Sequence, residues 1–344
     1  MNNVNKIEHF GVWGKNITMK TAPEPKEILW KNMFKSNPRF HLLRLLFGWF
    51  WTLVILTIVT IIFFFVLRQK GQYMKDAYKN YSKNDSIEYS AALTGAIVVV
   101  YVMLFLVILF NKIVLVESLH KFVHMEKHTT TAGYQLSFAT KYCIALFFTT
   151  ALMTLAVEAI ALNNFHTYLY GVEDEETVMF FLNSAFVPLF WLVNPKHLLR
   201  KFRRKKYYGR PDLTQREANN LMEQTSYDIG KRYAEVIEIM WFTSLYSSLI
   251  PIGAFVSLLG ILMYYWVDRY NLQRRSTLKY EVSGKMINFA LKLLDISLLL
   301  RPAGQIFFDE YIREGFQISS LIMLIIAGIY QVLPMNKIIE SVEK

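Results

Sequence analysis

The chain has 344 residues and a single cysteine, Cys143, so no disulfide can form within it. It has no Gly-rich phosphate loop, no His-Glu-x-x-His and no paired-Cys metal pattern. These absences remove the signatures of nucleotide hydrolases, zinc proteases and zinc ribbons. No enzyme activity, cofactor or bound metal is therefore expected. The first 40 residues are polar, contain Pro23, Pro25 and Pro38, and lack the apolar core of a cleavable signal peptide. Acidic residues are scarce beside basic ones: 27 against 38, a net charge of +11.

Apolar length is abundant: 53% of residues are hydrophobic. Eight long apolar stretches span 43–67, 91–116, 137–162, 177–194, 235–250, 252–267, 286–308 and 317–334. Six are near or above the ~20 residues that a helix needs to cross the hydrocarbon core. The two shortest are separated by Pro251, which removes a backbone donor and predicts a tight hairpin. The fold class expected is all-α, a polytopic membrane bundle of about eight transmembrane helices. Of the 38 Lys and Arg, 28 fall in alternate connections assigned to the cytoplasm and 6 in the outer loops. By the positive-inside rule both termini are cytoplasmic.

The organisation follows from these stretches. Residues 1–22 read as the remnant of a cytosolic domain, with strand fragments at Gly11–Gly14 and Ile17–Met19. Residues 23–40 form a linker, 41–335 the membrane unit and 336–344 a cytoplasmic tail. The connection 195–232 is the one cytoplasmic loop long enough for its own structure. It carries Arg200, Lys201, Arg203, Arg204, Lys205 and Lys206. This basic run anchors the topology and attracts anionic lipid rather than nucleic acid. Within the loop, Thr214-Gln-Arg-Glu217 is a capping-box pattern that predicts a helix start along the membrane surface.

Polar residues inside the apolar stretches are the functional signal, because they must face a bundle interior, a partner or water. They are Asn111 and Lys112, Glu158, Asn183 and Ser184, Glu235, Glu238 and Thr243, Asp268, and Lys292 with Asp295. Lys292 and Asp295, at i, i+3, are expected to neutralise each other. Glu235 and Glu238 share that spacing with like charge, so they need a cationic or aqueous environment. Glu158, Asn183, Ser184, Glu235, Glu238 and Thr243 are the pore-lining candidates. The outer loop 163–176 ends in Glu173-Asp174-Glu175-Glu176, which would concentrate cations at an outer mouth. His120, His124 and His128 fall at i, i+4, i+8, near Glu117 and Glu126, on one face of an expected helix. A polar helix end at the interface accounts for them better than a metal site.

Ala22-Pro23-Glu24-Pro25-Lys26-Glu27-Ile28-Leu29-Trp30-Lys31-Asn32-Met33 resembles the Ala-Pro-x-Pro-x-Asp/Glu-Ile-x-Trp-x-Asn-Leu motif of the hyperosmolality-gated, calcium-permeable channel family (OSCA-like). In that family the motif joins a cytosolic domain to eight further spans. The resemblance implies the C-terminal portion of a longer channel, with a pore along the first five spans. It also implies permeation of calcium, sodium and potassium, contact with membrane lipids and assembly as a homodimer. The segment Tyr233-Ala234-Glu235, Thr243 to Tyr246, Pro251 and Asp268 is similar to a hairpin of the related anoctamins. There, two acidic pairs hold calcium. Here, Glu235 and Asp268 are paired instead with positions occupied by Arg232 and Tyr264, which are not calcium ligands. The reading is a cation channel, calcium-permeable and gated by osmotic stress or membrane tension. The alternatives are a phospholipid scramblase of the same superfamily, or an inactive fragment of a longer channel.

Overall fold

The computed structural model describes residues 9–12, 15–18, 24–33, 38–81, 95, 98, 101–153, 155, 177–209, 213–278, 284–313 and 317–333. Helix dominates. A short antiparallel pair, β1 (His9–Val12) and β2 (Lys15–Thr18), overlaps the expected strand fragments at residues 11–12 and 17–18 and starts two residues earlier in each. The linker holds one helical turn, α1 (Trp30–Met33). The long helices follow: α2 (Pro38–Tyr81), α3 (Tyr101–Met125), and α4 (Thr131–Phe147). Next come α5 (Val187–Val193), α6 (Pro195–Tyr207) and the surface helix α7 (Gln215–Met222). The chain ends with α8 (Ile229–Tyr246), α9 (Pro251–Arg274), α10 (Gly284–Arg313) and α11 (Ile318–Val332).

Four stretches are long and apolar enough to cross a membrane: Phe40–Phe65, Tyr101–Met125, Thr177–Tyr207 and Pro251–Arg274. This is the pattern of an integral membrane protein. Their exposed faces are apolar, as at Leu46, Phe50 and Ile61 on α2 and Phe255, Leu258 and Leu262 on α9. Such faces are stable against lipid and costly against water. α8 is different. Its 18 residues include Lys231, Arg232, Glu235 and Glu238, and it lies inside the bundle, packed on α4, α9 and α10. Eight spans were expected, and four helices meet the requirements of length and apolarity among the described residues.

The break at Pro251 is present. α8 ends at Tyr246, a turn follows, and Pro251 opens α9 at its first position, where its missing N–H costs nothing. The capping box also forms: the Thr214 hydroxyl accepts from the Glu217 N–H, and the Glu217 carboxylate accepts from the Thr214 N–H at 3.0 Å. The helix it starts is short and stops at Met222. A parallel two-residue pair, β3 (Thr225–Ser226) with β4 (Ser276–Thr277), then ties the approach to α8 to the end of α9.

Three expectations are corrected. The segment 68–90, expected as an outer loop, begins as helix, because α2 continues to Tyr81 beyond its apolar span Phe40–Phe65. The three histidines do not share a helix face: α3 ends at Met125, and Lys127 adopts a left-handed backbone (φ 55°), which turns His128 off the helix line. Lys292 and Asp295 form no ion pair with each other among the described residues, although both lie on α10.

Candidate functional site: a buried polar knot

Among the described residues three π-helical turns interrupt the bundle: Asn111–Leu115 within α3, Phe148–Leu152 at the end of α4, and Leu182–Phe186 ahead of α5. Each carries two adjacent polar residues: Asn111 and Lys112, Thr149 and Thr150, Asn183 and Ser184. All six are buried. A π turn inserts one residue into the helix and swings neighbouring side chains toward one side, at the cost of a local hydrogen-bond mismatch. That cost recurs here where polar pairs meet α8.

The meeting has two layers. In the first, Lys112 Nζ lies 3.3 Å from Glu235 Oε1, and Arg232 Nη1 lies 2.6 Å from Glu235 Oε2. Arg232 also reaches Asp268 of α9 through Nε, at 2.9 Å. Two cations and two carboxylates therefore alternate through the packed helices. Tyr142 adds its hydroxyl, 3.4 Å from Glu235 Oε1. Arg232 is flanked by the rings of Trp191 and Tyr264, with its Cζ 5.4 and 4.9 Å from the centroids.

The second layer is neutral except for one group. Asn111 donates from Nδ2 to Thr149 Oγ1 at 2.8 Å. Thr150 Oγ1 lies 2.7 Å from Glu238 Oε1, and Asn183 Nδ2 donates to the same oxygen at 3.4 Å. Glu238 is 1% exposed and Glu235 is fully buried. Asn111 Oδ1 and Ser184 Oγ are buried with no hydrogen-bond partner. Ser184 sits against Gly260 of α9, where an added Cβ would come within 2.6 Å of the serine Cβ. Only glycine permits that approach.

Of the pore-lining candidates, the structure gathers Asn183, Ser184, Glu235 and Glu238 with Asn111, Lys112, Thr149 and Thr150. Thr243 lies apart: its hydroxyl bonds the Ile239 carbonyl at 2.7 Å and Ser257 of α9 at 2.6 Å. Glu158 and the acidic run Glu173, Asp174, Glu175 and Glu176 lie outside the described residues. Sequence reasoning missed Thr149 and Thr150. A pair of threonines in an apolar run gives no signal, since each can satisfy itself on the preceding turn. Among the described residues no cluster of three or more His, Cys, Asp or Glu suits a metal ion.

The basic helix α6 is divided in use. Arg200 and Arg204 donate to the last carbonyls of α7, Arg204 Nε to Leu221 at 2.6 Å and Arg200 Nη1 to Glu223 at 2.5 Å. This completes the C-terminus of that helix. Lys201, Arg203, Lys205 and Lys206 are exposed, beside exposed Leu199 and Phe202.

A second charged cluster lies where α3 turns into α4. Glu126 is fully buried and bonds Lys141, His128 Nε2 at 2.8 Å and Ser137 Oγ at 2.7 Å. Burial alone would raise its pKa, but the bonds from His128, Lys141 and Ser137 outweigh it and hold the carboxyl below its usual value. Asp228, the N-cap of α8, pairs with His120 Nε2 at 3.1 Å and accepts from the Lys231 N–H. Here too burial raises, and the His120 bond and nearby charges win, leaving the pKa lowered. The linker docks on this turn. Leu29 N–H bonds the Thr129 carbonyl at 2.8 Å, Thr131 N–H bonds the Glu27 carbonyl at 2.9 Å, and Asn32 Nδ2 bonds the His128 carbonyl at 2.8 Å. Linker and turn wall a cavity of about 580 Å³ that includes Trp30, His120, His124, Tyr134 and Asp228.

No family model fits the chain, and no curated protein aligns with it.

Proposed function

We propose that the protein is a cation channel, calcium-permeable and opened by osmotic stress or membrane tension. In this reading it has eight spans, both termini in the cytoplasm, and the plasma membrane as its location. The observation that carries the reading is the polar knot. Four segments bring Asn111, Thr150, Asn183 and Glu238 together inside a bundle whose outer faces are apolar. Buried polar groups in a membrane bundle are costly, and a purely structural bundle would do without them. A carboxylate with hydroxyl and amide neighbours is instead the lining a narrow cation pathway needs. The knot's side chains are buried and mostly bonded to one another, and in this reading the arrangement is the non-conducting one. The three π turns offer a way to open it, since shifting a π turn by one residue rotates the polar pairs relative to α8. The motif at residues 22–33 supports the same class, and calcium permeation, tension gating and a homodimer rest on it alone.

A scramblase needs a continuous polar stripe for headgroups. The apolar groove between α2 and α3, about 300 Å³, is walled by Ile55, Ile58, Phe63, Leu106, Phe110 and their apolar neighbours. It suits an acyl chain and gives no support to headgroup passage.

Patch recordings of wild type, Asn183→Ala and Thr150→Val test the channel reading. Altered selectivity or a shifted open-to-closed balance is expected in both variants. A gating shift of ~1.4 kcal/mol changes that ratio tenfold. Wild-type selectivity and threshold in both variants would remove the knot from the conduction path.

A further inference from the structure

The Thr150 hydroxyl has too few hydrogens to give an ionised Glu238 and the Leu146 carbonyl a full bond each. Thr150 Oγ1 lies 2.8 Å from the Leu146 carbonyl and 2.7 Å from Glu238 Oε1, both hydrogen-bond distances. A hydroxyl has one proton to give. With Glu238 ionised, that proton is either shared between the two acceptors or given to one of them, which leaves the other contact without a bond. If Glu238 carries a proton, Oε1–H donates to Thr150, Thr150 donates to Leu146, and both short contacts are bonds.

Charge balance gives the same answer by a separate route. Lys112 and Arg232 are matched by Glu235 and Asp268, and Lys231, whose field also reaches Glu235, is matched by Asp228 at the start of the same helix. The titratable groups whose fields reach Glu238 are Lys112 on α3, Tyr142 and Cys143 on α4, Tyr264 on α9 and Glu235 on its own helix. The only cation among them, Lys112, is in contact with Glu235. An anionic Glu238 would be a further charge with no counterion of its own among the described residues, in a buried interior where that is costly.

We propose that Glu238 is a proton-binding site: a carboxylic acid that holds its proton in the closed knot and exchanges it, one for one, with a small monovalent cation. The O–H bond breaks, the proton leaves to water, and the entering cation keeps the layer neutral. Two buried oxygens without a hydrogen-bond partner lie one residue away from Glu238's partners: Ser184 Oγ follows Asn183 in the chain, and Asn111, with its free Oδ1, bonds Thr149, the neighbour of Thr150. One carboxylate among neutral oxygens suits a monovalent ion better than calcium, which gathers six to eight oxygens and usually several carboxylates. The exchange deepens the channel reading, while the protonated state stands without it.

Difference infrared spectroscopy on the purified full chain tests the proposal without recording a current. At neutral pH the wild type should show the C=O band of a protonated carboxylic acid in a dry site, missing in Glu238→Gln. Should that variant fail to fold, wild type labelled with ¹³C only in glutamate serves, and the band must move with the label. Titrated upward in pH, the band should vanish at a midpoint that falls about one pH unit per tenfold rise in sodium, by one-for-one linkage. A bulky organic cation at the same ionic strength should leave the midpoint in place. A missing band, or a midpoint indifferent to sodium, overturns the proposal. A band that behaves as expected in a protein that conducts nothing would sink the channel reading alone.

Discussion

Lys112 and Glu235, far apart in the sequence, meet 3.3 Å apart inside the bundle, with their side chains 4% and 0% exposed. Glu235 is the carboxylate that Lys112 contacts, while Glu235 also pairs with Arg232, so losing either member unbalances the buried cluster by one charge. Removing one member of a buried pair leaves an uncompensated charge and costs about 3–5 kcal/mol. Lys112→Met and Glu235→Gln should each lower the unfolding temperature sharply in detergent. The double variant should recover much of the loss, because no lone charge remains. Strictly additive losses would show that the pair does not couple.

Acid should loosen the linker. The folded-state pKa of Glu126 lies below its ordinary 4.5, and that of Asp228 below its ordinary 3.8. For a depressed carboxyl the stabilisation is complete above the ordinary value and is lost as pH falls through the folded one. Between pH 5 and 8 these two groups should therefore leave stability flat. Below about pH 4 they should withdraw it. Hydrogen exchange at Leu29 and Thr131 is the readout, and protection that survives undiminished to pH 2 would contradict the assignment.

The basic helix should separate into two kinds of residue under mutation. Changing Lys201, Arg203, Lys205 and Lys206 to Gln should weaken binding to vesicles containing anionic lipid, by ~1 kcal/mol for each residue near the surface. Arg200→Gln and Arg204→Gln should act mainly on α7, exposing its last carbonyls and raising exchange over residues 215–222. Equal effects of all six on vesicle binding would refute the division.

Orientation is open to a glycan test. The sequons at Asn80 and Asn84 are expected outside, and the one at Asn16 inside. Asn80 is in the last turn of α2, so Asn84 should be the better acceptor. Sugar on Asn16, or access of protease to 82–90 from the cytosolic side alone, would reverse the topology.

The sequence made some of this legible, and the reasons are local. Long apolar runs announce membrane helices because lipid demands them at every outward position. Pro251 and the Thr214 capping box act within a few residues, and both were read correctly. Lys112 and Glu235 were each singled out as costly, yet nothing in the chain says that they are partners, because pairing depends on how α3 and α8 pack. The π turns left no trace, since one inserted residue hardly disturbs an apolar run. His128 was misplaced because a single left-handed residue, Lys127, redirects the chain. Lys292 and Asp295 had the right spacing for a pair and did not form one. Spacing permits contact and does not compel it.

The docking of the linker has a mechanical consequence. The Leu29 N–H bond to the Thr129 carbonyl and the Thr131 N–H bond to the Glu27 carbonyl flank an antiparallel bridge between Ile28 and Thr130. A pull on the chain ahead of Glu24 along this bridge loads its hydrogen bonds together, in shear, whereas a pull away from the membrane peels them one after another. The first direction delivers force intact to the turn that holds Glu126, and through Lys141 to α4, whose far end carries Thr149 and Thr150. The second lets go early. The joint would behave as a directional coupling, stiff along one axis and a weak link along the other.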